Sequence, residues 1–518
     1  MHIELILVGL FVVATGVAMV ARRLKVPYTV ALVLAGLMLG TATDFEPLHL
    51  TKELVYTVFL PGLLFEAAFA LEFKKFWANK WAISSLALPG VIAAIAITTA
   101  LLVPAANRLH FVDSFTLADG LIFAAVIAAT DPIAVVALFK SLGAPKRLAV
   151  LVEGESLLND GTAVVLFTIV LGVAMGGELS VLTAGLEFIK VVGMGVVIGG
   201  TVGYAVSLVI KAVDDPMIEI TLTTIVAYGS FVGAEYFHFS GVIATVVAGM
   251  LCGNYAARVG MSPSTRVAVG TFWEYLAFAL NSLVFLLIGF EVRVESLAAA
   301  WQPIVIAYLA VTLGRALVMA VVGALLKRTK EKLSWSWLAV LTWGGLRGSL
   351  SMVLVLGLPL ALPHRDLIIT MTFGVVILSI LIQGLTMGPL LRLLKLVGVR
   401  PAEGEYDRLK GQLRGAAAAL AELTRMEQEG AVSAQVATGL RAQFEERQVT
   451  AKSAISELHL QTEDLVEAER RSALRRALIA EKDAVQHERH AGRISVESYE
   501  ALMADVDARL VGVQLEHE

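Results

Sequence analysis

The sequence contains a single cysteine, Cys252, in 518 residues, so neither a disulfide framework nor a thiolate metal cluster can be built within it. No G-x-x-x-x-G-K-[ST] segment occurs, which leaves nucleotide-driven pumping without a phosphate cradle. No basic leader with a small-residue cleavage site precedes the first apolar stretch. That stretch, Ile3 to Val20, is followed by Arg22, Arg23 and Lys25 and reads as a retained span rather than a removable signal. Histidines are few and scattered in the apolar part, among them His49, His110, His238 and His364. No nucleophile–base constellation can be assembled there, so an enzyme is the least favoured class. Charge is scarce as well, at 17% of residues, and unevenly placed. Residues 401–518 hold 22 acidic and 15 basic side chains, net −7, whereas residues 1–400 hold 23 and 26, net +3. An acidic tail on an apolar body fits no nucleic-acid role.

What the sequence has is apolar surface. Hydrophobic residues make up 57% of it and the mean hydropathy is +0.77, against roughly 45–50% apolar residues in a soluble chain. Lipid must therefore be the solvent for much of residues 1–400. Thirteen segments have the length and composition of membrane spans or nearly so: 3–21, 26–41, 53–71, 81–106, 115–140, 146–174, 181–211, 216–237, 239–254, 270–291, 301–327, 334–361 and 366–398. With the N-terminus outside, 19 Lys and Arg fall in inner loops or at the end of the last segment. Only four, Lys52, Arg108, Arg293 and Arg365, fall in outer loops. This bias predicts an odd number of spans near thirteen and a cytoplasmic tail.

Three cations remain inside spans. Lys190 is near an interface, where it can snorkel, and Glu187 stands three residues before it as a partner. Arg315 and Arg347 are deep, where a cation costs at least ~2.5–3.5 kcal/mol and needs a partner. The intramembrane acids cluster mainly in two stretches. Ala129-Thr130-Asp131-Pro132 interrupts the fifth span, and Glu153-Gly154-Glu155-Ser156-Leu157-Leu158-Asn159-Asp160-Gly161 lies inside the sixth. Glu66, Glu235 and Glu274 are scattered. On a helix Ser156 and Asp160 share one face, and Glu155 and Asn159 the next. Pro132 removes a backbone hydrogen bond and disfavours helix at Asp131, which frees carbonyls such as that of Thr130. A carboxylate, a hydroxyl and freed carbonyls form an oxygen-rich nest for a hard monovalent cation. Glu155 and Arg315 can neutralise each other, which leaves Asp160 without a basic partner. A lone carboxylate of this kind can hold either a proton or a cation.

The twelfth span carries a second interruption, Gly344-Gly345-Leu346-Arg347-Gly348. If spans 1–6 and 8–13 form two inverted repeats, the breaks occupy corresponding positions, a pointer to a transport site. Asp131 can then balance the positive end of one half-helix and Arg347 the negative end of another.

Thr130-Asp131-Pro132, Gly154-Glu155-Ser156-Leu157-Leu158-Asn159-Asp160 and Gly344-Gly345-Leu346-Arg347-Gly348, in that order, resemble the sodium/proton exchanger (NhaP/NHE-type) branch of the monovalent cation:proton antiporters. The resemblance covers roughly residues 1–400. It implies an all-α membrane protein of about thirteen spans in two inverted six-helix repeats with crossed discontinuous helices, forming a homodimer in the cell (inner) membrane. It implies alternating-access antiport of Na⁺, with Li⁺ as a further candidate, against H⁺, electroneutral at one to one, with no cofactor beyond the transported ions. Asp160 is expected to bind the ion, with Ser156 and the Thr130 carbonyl as co-ligands and Glu155 beside them. Asn159 is expected to hold Glu155 in place, and Glu155 to pair with Arg315. Two alternatives remain: K⁺ as the main ion, or a channel or transporter-like sensor.

Residues 401–518 form the second expected domain, a charged helical tail of bland or regulatory character. Leu474, Leu478 and Val485 recur at helical intervals, and Gly492-Arg493-Ile494-Ser495 reads as a turn with Ser495 as N-cap. A capping box would need Glu or Gln at Ser498. The simplest reading is a solvated helical hairpin.

Overall fold

Long apolar runs surrounded by lipid can satisfy their backbone only internally, which selects helix. The computed structural model describes residues 3–24, 27–42, 55–112, 114–176, 181–213, 215–257, 260–291, 294–329, 331–396, 401–461, 463–490 and 493–515. All regular structure among them is helical. The chain divides into a unit Met1–Gly398 and a unit Val399–Glu518. Lys52 and Arg293, two of the four outer-loop cations, and Gly492 of the tail turn lie outside the described residues.

The first unit contains α1 (Ile3–Leu24), α2 (Tyr28–Ala42), α3 (Leu60–Ala70), α4 (Phe73–Ala78), α5 (Lys80–Arg108), α6 (Leu117–Val126), α7 (Ile133–Leu142), α8 (Lys146–Ala174) and α9 (Val181–Ile210). It continues with α10 (Pro216–Tyr236), α11 (Gly241–Ala256), α12 (Pro263–Glu291), α13 (Val294–Ala299), α14 (Trp301–Leu326), α15 (Trp335–Trp343), α16 (Ser349–Leu356) and α17 (Arg365–Leu393). Seven of them, α5, α8, α9, α10, α12, α14 and α17, are long and apolar enough to cross a membrane. This is a multi-pass membrane protein.

Helices approach closely where glycine leaves room. A Cβ on Gly203 of α9 would lie 2.9 Å from the Ala248 Cα of α11, and one on Gly40 of α2 would lie 2.8 Å from the Phe290 carbonyl of α12. Such small-residue contacts replace the hydrophobic drive that lipid removes. Leu182, Leu186 and Ile189 on α9 are exposed, as suits a lipid-facing surface. Glu187 and Lys190 are exposed as well, and among the described residues no ion pair joins them, contrary to expectation. With water or headgroups in reach of both, the pair gains little over separate solvation.

Two pairs of short helices are separated by breaks. The helices α6 and α7 have 10 residues each, about 15 Å apiece, or half of a ~30 Å hydrocarbon core. Thr116 and Asp119 cap the far end of α6 in a reciprocal box. At its near end the helix stops at Ile127, and α7 restarts after Pro132, which serves as its N-cap. The helices α15 and α16, with 9 and 8 residues, flank the Gly344–Gly348 break, where Gly348 is extended.

In the second unit α18 (Pro401–Gln428) packs along α19 (Ala434–Gln461), and α20 (Glu463–His490) along α21 (Val496–Leu515). Arg441 to Glu427 at 2.7 Å joins the first pair, and Arg509 to Glu481 at 3.2 Å the second. The tail thus holds two hairpins where the sequence suggests one. Ser495 caps α21 by accepting from the Ser498 N–H at 3.2 Å. Leu478 is buried but Leu474 is exposed, so the apolar stripe is narrower than its spacing implies.

Candidate functional site

The two breaks meet. Asp131 donates its backbone N–H to the Leu346 carbonyl at 2.8 Å, which ties one break to the other. Its carboxylate Oδ1 accepts from the Ile133 N–H at 3.0 Å, at the positive end of α7. The same carboxylate lies against Gly348, where a Cβ would be 2.9 Å from Asp131 Cγ, beside the N-terminus of α16. One acid therefore faces the positive ends of two half-helices.

The negative ends face arginines. Arg347 Nη1 donates to the carbonyls of Ala128 at 2.8 Å and Ala129 at 3.2 Å, just past the C-terminus of α6. Its own N–H donates to Ser379 Oγ at 3.1 Å. Arg315 does the same for α15: Nε and Nη2 donate to the Leu341 carbonyl at 3.0 and 2.9 Å. Its guanidinium also grips Glu155 in a fork, Nη1 to Oε1 at 3.1 Å and Nη2 to Oε2 at 3.0 Å. Both partners are buried, and a bidentate pair is the geometry in which burial is best compensated.

The polar faces of α8 then divide. Ser156 Oγ donates to the Thr130 carbonyl. Asn159 Nδ2 donates to the Ala128 carbonyl and to Thr130 Oγ1, both at 3.1 Å. Asn159 thus holds the unwound backbone of the break and makes no hydrogen bond to Glu155. This corrects the expectation that it positions that acid; Arg315 alone takes both Glu155 oxygens. Asp160 Oδ1 is buried with no hydrogen-bond partner among the described residues.

A cavity of about 290 Å³ collects Thr130, Asp131, Ser156 and Asp160 with Glu66, Glu153, Lys140, Tyr28 and Asn281 on its wall. Glu155, Asn159, Arg315 and Arg347 line a separate void of about 20 Å³ together with Thr98. Glu155 thus lines the smaller void, paired with Arg315, while Thr130, Ser156 and Asp160 line the larger cavity. Glu66 is the acid that sequence reasoning set aside as scattered. Its signal was present, because an ionisable residue inside an apolar span marks a site by default.

Comparison with known proteins points the same way. Residues 8–393 match the family described as sodium/hydrogen exchanger, transmembrane. The chain is 40% identical over 387 residues to the Na(+)/H(+) antiporter ApNhaP of Aphanothece halophytica, covering 74% of this chain and 73% of that one. It is 35% identical over 531 residues to the Na(+)/H(+) antiporter NhaG of Bacillus atrophaeus, with 98% of each chain covered. Among solved structures, that of the sodium proton antiporter MjNhaP1 from Methanocaldococcus jannaschii at pH 8 superposes with TM-score 0.61 at 19% identity, covering 76% of this chain and 100% of that one. That likeness speaks to the fold.

Proposed function

This chain belongs to the sodium/hydrogen exchanger family, and from that premise we propose that Asp160 is the group on which its two ions take turns. The protein is a transporter and not an enzyme: an antiporter that exchanges Na⁺ for H⁺ across the membrane. The observation that carries the proposal is the unpartnered Asp160 Oδ1 at the wall of the large cavity. A buried carboxylate oxygen without a donor is costly unless a proton or a cation completes it. The Arg315 fork already occupies both Glu155 oxygens, which favours Asp160 over Glu155 for that role.

Ser156 and Thr130 supply the remaining ligands. The Ser156 hydroxyl now donates to the Thr130 carbonyl. Turned away from it, the hydroxyl offers a lone pair and leaves the carbonyl free for the ion. One carboxylate holding either one Na⁺ or one H⁺ gives electroneutral one-to-one exchange, because Asn159 brings no second titrating group. Asp131, Arg347 and Arg315 neutralise the half-helix ends so that the crossing survives with or without cargo.

The cavity wall includes Lys140, at the end of α7. The positive-inside bias assigns that end to the cytoplasm, so the arrangement corresponds to the inward-open stage of an alternating-access cycle. The same reading gives thirteen spans in two inverted repeats, counting each split crossing once. It places the protein in the inner membrane with its N-terminus outside, and makes it a homodimer with a cytoplasmic regulatory tail.

The decisive experiment is exchange in proteoliposomes carrying an imposed pH gradient and a pH-sensitive dye. Addition of Na⁺ should dequench the dye, Li⁺ and K⁺ being run alongside. Asp160→Asn should abolish the response in protein that is monodisperse and folded; full exchange by that variant would reject Asp160 as carrier. Insensitivity of the rate to a clamped membrane potential tests the stoichiometry.

A further inference from the structure

We propose that the turn between α3 and α5 binds the phosphate of an anionic phospholipid headgroup, at Lys80 between Trp77 and Trp81. The Lys80 ammonium lies 4.3 Å from the ring centroid of Trp77 and 5.8 Å from that of Trp81. Among the described residues it has no carboxylate partner and no hydrogen-bond acceptor. Its neighbour Lys75 is already paired with Glu72, while Lys74 is exposed on the same short helix. Lys80 is partly buried, and an ammonium beside two indoles with no anion is an incomplete site, because cation–π contact offsets only part of the lost hydration. The indole N–H groups of Trp77 and Trp81 likewise donate to no group among the described residues. An ammonium and two indole donors together fit a phosphate diester.

The turn is held ready. Glu331 accepts from the Ala82 N–H at 2.7 Å and the Trp81 N–H at 3.4 Å, fixing the start of α5. Arg147 Nε donates to Asn79 Oδ1 at 2.7 Å, and Asn79 Nδ2 to the Lys75 carbonyl at 2.9 Å. Arg147 also lies 5.3 Å from the Trp337 ring. Side chains from α8 and from the segment before α15 thus set the backbone that aims Lys80.

The source of the phosphate is a lipid because of what flanks the lysine. Trp77 is 54% exposed and Trp81 67% exposed, and the Phe73 and Trp77 rings stack at 5.6 Å. Exposed aromatics at the reversal between two apolar helices sit at the headgroup level. Residues 72–80 contribute three lysines and one glutamate, so a net negative headgroup such as phosphatidylglycerol is preferred over a zwitterionic one, which brings its own cation.

The test uses full-length protein in detergent. Native mass spectrometry with phosphatidylglycerol, phosphatidylcholine or inorganic phosphate should show preferential retention of phosphatidylglycerol. Lys80→Gln should lower that preference about five-fold, the contribution of one basic residue near an anionic lipid surface, and Lys80→Arg should restore it. Equal retention of the two lipids, an unchanged preference in Lys80→Gln, or displacement by inorganic phosphate at equal concentration would overturn the proposal. Should Lys80→Gln not fold, brominated lipids decide. Tryptophan quenching by brominated phosphatidylglycerol should exceed that by brominated phosphatidylcholine, and the excess should vanish in Trp77→Phe/Trp81→Phe. An excess that survives the double substitution places the lipid elsewhere and also overturns the proposal.

Discussion

The Asp131 backbone N–H and the Leu346 carbonyl, with nitrogen and oxygen 2.8 Å apart, hydrogen-bond the break between α6 and α7 to the break between α15 and α16. Around this link each half-helix end faces its counter-charge: Asp131 beside the N-termini of α7 and α16, Arg347 at the C-terminal carbonyls of α6, Arg315 at those of α15. Unwound backbone at this depth is tolerated only where protein or cavity satisfies it, and here two arginines and an asparagine do so. Within this arrangement Asp160 Oδ1 is left without a hydrogen-bond partner among the described residues.

The two members of the Glu155–Arg315 fork should be energetically coupled, so that removing both costs less than the sum of removing each. Either Glu155→Ala or Arg315→Ala leaves a buried charge uncompensated, at about 3–5 kcal/mol. The double substitution removes both charges but also strips the Leu341 carbonyl of two donors. Thermal unfolding in detergent should therefore show a double variant less destabilised than the sum of the singles, with favourable coupling of a few kcal/mol. Strict additivity would mean that the fork contributes nothing beyond its separate parts.

The glycines of the second break should not tolerate a methyl group. A Cβ on Gly345 would lie 2.6 Å from Arg315 Cδ and 2.7 Å from Cζ, forcing the guanidinium off both Glu155 and Leu341. Gly345→Ala should lower the melting temperature and abolish exchange together. Gly229→Ala on α10, with nothing within 4 Å of its Cβ, is the control: it should be neutral or stabilising by up to about 1 kcal/mol. Equal effects at the two positions would mean that close approach to Arg315 is not what the glycine serves.

These contacts mark where the sequence was legible. Pro132 and the Gly344–Gly348 run announce the breaks, because proline and clustered glycine act on the chain locally. The Glu155–Arg315 pair follows from charge balance in lipid, where two unpartnered deep charges have few alternatives. The partner of Asn159 did not follow. Residues 155 and 159 share a helix face, which suggests contact, yet the amide turns outward to Ala128 and Thr130, and only the path of the unwound strand decides that. The sequence marks Glu66 only as an ionisable residue inside an apolar span; which cavity it lines did not follow, because helical periodicity places a residue on its own helix but does not say which cavity that face meets.

Glu66→Gln should weaken Na⁺ binding without stopping turnover. Glu66 lines the cavity that Asp160 lines and adds negative charge along the cation's approach. Its neutralisation should raise the Na⁺ concentration for half-maximal exchange several-fold and leave the maximal rate near normal, since a charge that acts on approach and binding chiefly changes apparent affinity. Dye-dequenching titrations over a range of Na⁺ separate the two quantities. Loss of the maximal rate at saturating Na⁺ would instead place Glu66 in the carrier step with Asp160.

Competition at one carboxylate fixes the sign of the pH response. If H⁺ and Na⁺ exclude each other at Asp160, each proton bound must leave before Na⁺ enters, and linkage makes the effect reciprocal. Apparent Na⁺ affinity should then fall as pH falls, approaching about ten-fold per pH unit where the proton form dominates, and level off at high pH where the site is deprotonated. The maximal rate at saturating Na⁺ should vary much less over the same range. The same titration in an Asn159→Ala variant asks whether the break alone sets the slope, because Asn159 touches Ala128 and Thr130 but makes no hydrogen bond to Glu155. Exchange whose half-saturating Na⁺ is unchanged from acid to alkaline pH would show that proton and cation bind different groups, and the single-carboxylate cycle would fail.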